Sequence, residues 1–300
     1  MDFFKVKPDL SRIWPTLRTS YETATGQNKK YQRKSRSGVS YFAVCPICDN
    51  PIQLIGLYRN TAESGRKPYG KHCRHTVPDL AEYDEDAYLD CPYSDPNWTP
   101  PTSRRKPESR ISKQILQLLH DQFDRVMYIL FKDTGIYFSQ AMAEKMLQSY
   151  ISREGWSFRD AAPYNLPWTF VEGQAALPLF GQRIRKGCAL YDAIAANCPT
   201  VCFDESTGGD SVRIQRNPGQ YVDLNFTFVS HIHTVQEDHL NESIDLWVHS
   251  GEPPDLKTVY RAPLQIQTDY FLNLIALSDE RSHRNQRLLE IAHELLKDML

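Results

Sequence analysis

No stretch of this 300-residue chain is apolar for long enough to span a bilayer; the longest runs, such as residues 270–277, fall far short of the roughly 20 residues required. The opening residues, Met1-Asp2-Phe3-Phe4-Lys5-Val6-Lys7, lack the apolar core and the cleavage pattern of a secretory signal. The expectation is therefore a cytoplasmic protein with no membrane partner. No internal repeat of solenoid or propeller length is present. Two common catalytic signatures are also missing. There is no Gly-x-Gly-x-x-Gly dinucleotide fingerprint and no Gly-x-Ser-x-Gly nucleophile elbow. The glycines of Gly208-Gly209-Asp210 mark a turn, without the lysine or the length of a phosphate-binding loop.

Neither sign of charge dominates the whole, which carries a net charge of −2, but the charge is unevenly distributed. Residues 1–44 hold nine basic and three acidic side chains, a balance of +6, whereas residues 111–300 stand at −7. A basic front and an acidic back suit different partners. Apolar residues at 41% and charged residues at 24% fit a globular chain. Residues 92–110 contain five prolines in 19 positions, which reads as an extended connection. The expected organisation is a basic N-terminal arm with a small β-rich zinc module over 1–95, a proline-rich linker over 96–108, and an α+β domain over 109–300.

In the front part, residues 39–44 and 51–58 read as strands of a hairpin closed around Cys45-Pro-Ile-Cys48. In the back part, helical periodicity runs from Ser109 to a stop at Gly135, Ser139 caps a second helix, and residues 188–197 form a third. Strands follow at 200–203, 212–215, 221–234 and 243–248, and two helices close the chain at 268–277 and 279–300. The sum is an α+β fold of helices, then an antiparallel sheet, then helices.

Seven cysteines without a secretory signal point to reduced thiols and to metal binding. Four of them fall in the pattern C-x2-C-x24-C-x17-C at Cys45, Cys48, Cys73 and Cys91. A Cys-x2-Cys turn delivers two sulfurs to one ion with little strain, and zinc takes four such ligands in a tetrahedron. Cys91-Pro92-Tyr93-Ser94 looks like a second knuckle whose other cysteine is missing. The fourth ligand must then come from His72, Cys73 or His75. Cys73 is the first choice because it completes an all-thiolate set, His72 the second and His75 the third. The expected role is structural. The nucleobase-deaminase signature fails, since no His-x-Glu lies upstream and Val44 rather than proline precedes the pair.

The run Lys29-Lys30-Tyr31-Gln32-Arg33-Lys34-Ser35-Arg36 precedes the cysteines, and Arg104-Arg105-Lys106 with Arg110 follows them. Lysines and arginines neutralise phosphates, and a tyrosine among them can stack on a base. Lys29, Lys30, Tyr31, Arg33, Lys34 and Arg36 are thus candidate nucleic-acid contacts, whether DNA or RNA, and the acidic back half is the expected docking surface for a protein partner.

In the back half, His231 and His233 would share a face of a strand, with Asp223, Asp238, His239 and Glu242 nearby. The spacing departs from the His-x-His-x-Asp-His of metallo-β-lactamases, and no Glu-x-Lys of the restriction-endonuclease type accompanies Asp223. The expected function is non-enzymatic: a zinc-containing binding or adaptor protein that contacts nucleic acid through its basic N-terminal half. The alternative is a metal-dependent nuclease or other hydrolase built on residues 223–239.

Overall fold

The structure is a computed structural model that describes residues 1–8, 12–36, 38–59, 67–91, 93–94, 104–106, 108–206, 208–220, 222–236, 239–251, 254–279 and 284–300. Its N-terminal part opens with a two-stranded pair, β1 (Phe3–Phe4) and β2 (Trp14–Pro15), followed by α1 (Arg18–Thr25). A four-stranded antiparallel sheet comes next: β3 (Gln32–Ser35), β4 (Gly38–Val44), β5 (Pro51–Ile55) and β6 (Tyr69–His72), in that order. The hairpin expected around the first cysteine pair is present, with Val44 opposite Pro51. Residues 1–44 are not a free arm. Met1, Phe4, Ile13 and Tyr21, apolar or aromatic residues scattered among the charges, are buried beneath this sheet.

A short helix, α2 (Glu85–Leu89), leads to Cys91. The central helix α3 (Arg110–Thr134) is capped by the Ser109 hydroxyl and ended by Gly135 in the left-handed conformation, as its flanking residues suggested. It kinks at Gln122. Beyond β7 (Ile136–Tyr137), helix α4 (Gln140–Ser152) begins at Ser139, and α5 (Leu166–Val171) buries Trp168 and Phe170 against α3. Three short elements follow, β8 (Leu177–Pro178), β9 (Arg183–Arg185) and α6 (Ala189–Asn197). Strands β10 (Val201–Asp204) and β11 (Ser211–Arg216) join β9 and β7 in a second antiparallel sheet.

The long hairpin β12 (Leu224–Gln236) and β13 (His239–Ser250) forms a third with β8 and β14 (Lys257–Gln265). Strand β14 was not anticipated, since its buried positions Val259 and Leu264 break the alternation. Helices α7 (Thr268–Ile275) and α8 (Gln286–Leu296) pack back onto α3. The molecule is thus mixed α+β with antiparallel sheets, and no helix among the described residues is long and apolar enough to cross a membrane.

The expected linker over 96–108 lies mostly outside the described residues. Its described part is firmly held. The Arg105 guanidinium, 1% exposed, donates to Asp90 Oδ2 at 2.8 Å and to the carbonyls of Phe158, Arg159 and Ala161 at 2.6–2.8 Å. Buried side chains form one continuous cluster running from Met1 to Leu296.

An always-charged guanidinium in such a place is tolerated only because it is fully paired. Arg105→Ala is expected to cost about 3–5 kcal/mol in urea denaturation, and Arg105→Lys most of that, because one ammonium cannot serve four acceptors. A loss under about 1 kcal/mol would show that the clamp does not support the fold.

Candidate metal centre

Four side chains from three separate segments converge beside the β4–β5 turn. Cys45 and Cys48 come from the turn itself, His72 ends β6, and Cys91 follows α2; their ligand atoms all lie within 4.8 Å of one another. The turn is held by Cys45 N–H donating to Asn50 O at 2.8 Å and Asp49 N–H to Cys45 O at 3.2 Å. Asp49 takes a positive φ of 60° there, a conformation that aspartate tolerates better than most residues. Its buried carboxylate is paired with Lys5, whose backbone bridges to Val44, and with Arg110 at 3.1 Å. Arg110 also donates to Cys48 O at 2.9 Å, so the first turn of α3 braces the knuckle.

Asn50 supports the other side. Its amide donates to Asp84 O at 2.9 Å and accepts from Asp84 N at 2.7 Å, while the Asp84 carboxylate caps α2. That helix aims Cys91 at the site. The Asn50 amide also lies 3.4 Å from Cys48 Sγ.

The Cys45 and Cys91 sulfurs are 3.9 Å apart, and Cys48 Sγ is 3.2 Å from His72 Nε2. A tetrahedral zinc with bonds of about 2.3 Å to sulfur and about 2.05 Å to nitrogen sets these edges at about 3.8 and 3.6 Å. All three cysteines are buried. Burial raises the Cys48 and Cys91 thiols well above their ordinary range, and the neighbouring Cys45 sulfur raises them further. At Cys45 the effect of burial is outweighed by hydrogen bonds from Cys48 and Cys91 and by the His72 charge, and its thiol falls well below the ordinary value. Ionised sulfurs this close and this buried repel one another, and a cation among them would offset that repulsion.

Cys73, the first choice for the fourth ligand, lies outside this group. His72, the last residue of β6, is paired with Ile52 and brings its Nε2 to 3.2 Å from Cys48 Sγ, whereas Cys73 follows the end of the strand and its thiol stays apart. Cys73 is instead buried, its thiol pushed up to about 11 by that burial. His75 is exposed and also outside the group.

The basic residues divide. Lys29, Lys30, Lys34 and Arg36 are exposed on and around β3, and none has a carboxylate partner among the described residues. Tyr31 is a correction: it is 6% exposed, accepts from the Tyr21 hydroxyl through its carbonyl, and donates its own hydroxyl to Val6 O, so it cannot stack on a base. The Arg33 guanidinium is likewise engaged, by the carbonyls of Lys30, Gln32 and Pro78. The second basic cluster is consumed internally. Arg104 pairs with Glu154, Arg105 with Asp90, Lys106 with Asp86 and Arg110 with Asp49.

The back-half candidates also separate. Asp223 pairs with Arg216 at 3.5 Å, while Glu237 and Asp238 lie outside the described residues. Strand β12 changes register between Val229 and Ile232, with Ser230 at a φ of 57°, and His231 turns inward there. The rings of His231 and His233 are 6.5 Å apart, yet the groups nearest His231 are Glu172 at 2.9 Å, Glu242 at 2.7 Å and Asp160 at 4.0 Å. Burial alone would lower the His231 pKa, but hydrogen bonds to Glu172 and Glu242 carry it up to about 10. Burial and repulsion from Glu172 raise Asp160 to about 7. Sequence reading missed Asp160 and Glu172, which sit some 60–70 residues before His231 in a segment with no periodic signal.

Comparison with protein-family models, with curated proteins and with solved structures found no match for this chain.

Asn50→Ala removes both contacts to Asp84; the Asp84 carbonyl keeps the Tyr88 N–H at 3.0 Å, but the partly buried Asp84 N–H loses its acceptor. The expected loss is about 1–3 kcal/mol in thermal or urea unfolding. A change within about 0.5 kcal/mol would mean that Asn50 is not the strut between the knuckle and α2.

Proposed function

We propose that Cys45, Cys48, His72 and Cys91 hold one structural Zn2+, and that the region it closes is a non-enzymatic nucleic-acid-binding module. The observation that carries this reading is the closed four-donor group, its three cysteines buried and its histidine half-buried. A catalytic zinc keeps one position open to water, and three thiolates with one imidazole fill all four. Such a centre suits the reducing cytoplasm, where thiols stay free for a metal. Zinc binding at comparable peptide sites is worth roughly 10–16 kcal/mol, enough to organise a region with a small core.

The nucleic-acid part of the reading rests on Lys29, Lys30, Lys34 and Arg36. Four exposed cations on and just before one hairpin, none with a carboxylate partner among the described residues, suit a phosphate backbone, although the Lys30 ammonium also lies 4.8 Å from the Tyr31 ring centre. The face is basic and lacks an exposed aromatic from the run, so the recognition expected is of backbone charge rather than of base sequence.

Elemental analysis of the purified protein is expected to give one zinc per chain. Cys91→Ser should lose it together with the folded N-terminal region, whereas Cys73→Ala should keep it. Zinc lost from Cys73→Ala and retained by His72→Ala would overturn the assignment of the fourth ligand.

Titration with duplex DNA at rising salt should give a log–log slope of up to about −3.6 if all four cations contact phosphates, and about −2.8 with single strands. Replacing Lys29, Lys30, Lys34 and Arg36 by glutamate should abolish binding at unchanged melting temperature. Full zinc occupancy with no affinity for DNA or RNA at low salt would leave a protein-adaptor role in its place.

A further inference from the structure

Asp160, Glu172 and His231 stand apart from the cysteine group in chemistry: two hard carboxylates and one imidazole, with ligand atoms within 4.8 Å of one another. We propose that these three residues form a second metal site, for one divalent cation of the Mn2+ or Fe2+ class, with Glu242 orienting the histidine from behind. The site is distinct from the zinc reading and does not depend on it.

The donor geometry fits one ion. His231 Nδ1 is 2.9 Å from Glu172 Oε2 and 4.0 Å from Asp160 Oδ2. Bonds of about 2.1 Å at right angles put neighbouring donors about 3.0 Å apart, so the Asp160 side chain has to close by about 1 Å, on a backbone that stays in place, to complete a facial set. Carboxylates favour Mg2+ and Mn2+, imidazole favours iron and zinc, and the mixed set suits an ion of intermediate softness between those groups, Mn2+ or Fe2+.

The far nitrogen of His231 is arranged as a metal-bound histidine requires. Nε2 faces Glu242 Oε1 at 2.7 Å, and that carboxylate, 1% exposed, also receives the Tyr164 hydroxyl and the Asn165 amide. A carboxylate on one ring nitrogen fixes the tautomer that offers the other nitrogen to a metal. Asn165 also donates to the Asp160 carbonyl at 2.8 Å, and the Arg105 guanidinium holds the carbonyls on either side of it, so the Asp160 loop is immobilised.

The carboxylates face solvent more than the histidine does. The His231 side chain is 2% exposed, against 15% for Asp160 and 31% for Glu172. A cation can therefore enter past the carboxylates and keep water in the positions that face solvent. Three carboxylates around a single imidazole also leave an excess of negative charge that a divalent ion balances.

The test is a Mn2+ titration, followed by the loss of the free-Mn2+ paramagnetic signal, on protein whose zinc content has been measured in the same samples. One Mn2+ per chain is expected, with affinity at least tenfold weaker in Asp160→Asn and in Glu172→Gln. His120→Ala, which removes part of the separate His120, Asp121 and His293 group, should leave it unchanged. Zinc content should stay constant across the set, which separates failure of this site from failure of the cysteine centre. No Mn2+ uptake would overturn the proposal. So would uptake that survives both carboxylate substitutions or that disappears with His120→Ala. Melting temperatures identify a variant that has failed to fold, and the more exposed Glu172 then carries the test.

Discussion

A guanidinium does not give up its proton on burial, so a fold that encloses one has to bring an acceptor to each of its donors. Around Arg105 those acceptors come from two distant places: the carboxylate of Asp90 and the carbonyls of residues 158, 159 and 161. Asp90 adjoins Cys91, the last member of the cysteine group. Asp160 lies inside the clamped loop and belongs to the histidine–carboxylate group. One buried cation thus fixes the spacing between the two polar centres, and each inherits its placement from the same side chain.

Burial of charge organises the knuckle in a similar way. Asp49 sits in the tight turn directly after Cys48, and its carboxylate is neutralised by Lys5 from the first residues of the chain and by Arg110 from the first turn of α3. The ligand cluster is therefore held from outside by ion pairs in addition to whatever binds inside it. Tyr93 and, from the β12–β13 hairpin, Leu240 both pack against the continuous core, so the N-terminal region and the long hairpin share a buried boundary.

Local signals in the sequence were read well where the physics is local. Ser109, Gly135 and Ser139 act within one helical turn of themselves, and they mark the ends of α3 and the start of α4. The Cys45–Cys48 pair and Cys91 could be selected because the cysteine turn is a short-range constraint. The choice between His72 and Cys73 could not, since it depends on the phase of β6 against β5, which pairing partners set. Tyr31 resembled a stacking residue because composition does not reveal whether an aromatic among lysines points out or in. Asp160 and Glu172 carry no spacing signal at all; they meet His231 only because a one-residue irregularity at Ser230 turns that histidine across the sheet.

The partners of Asp49 also impose an order in time. Its carboxylate waits for Arg110, 61 positions further along the chain, and for Gln114, 65 positions along. At the ribosome's pace of about 5–20 residues per second, that is an interval of roughly 3–12 seconds. Throughout it the turn has emerged with Lys5 alone to answer its charge. The nascent knuckle is thus least secure while the four donors are first coming within reach of one another, and it becomes rigid only when the helix of the following region has begun to form.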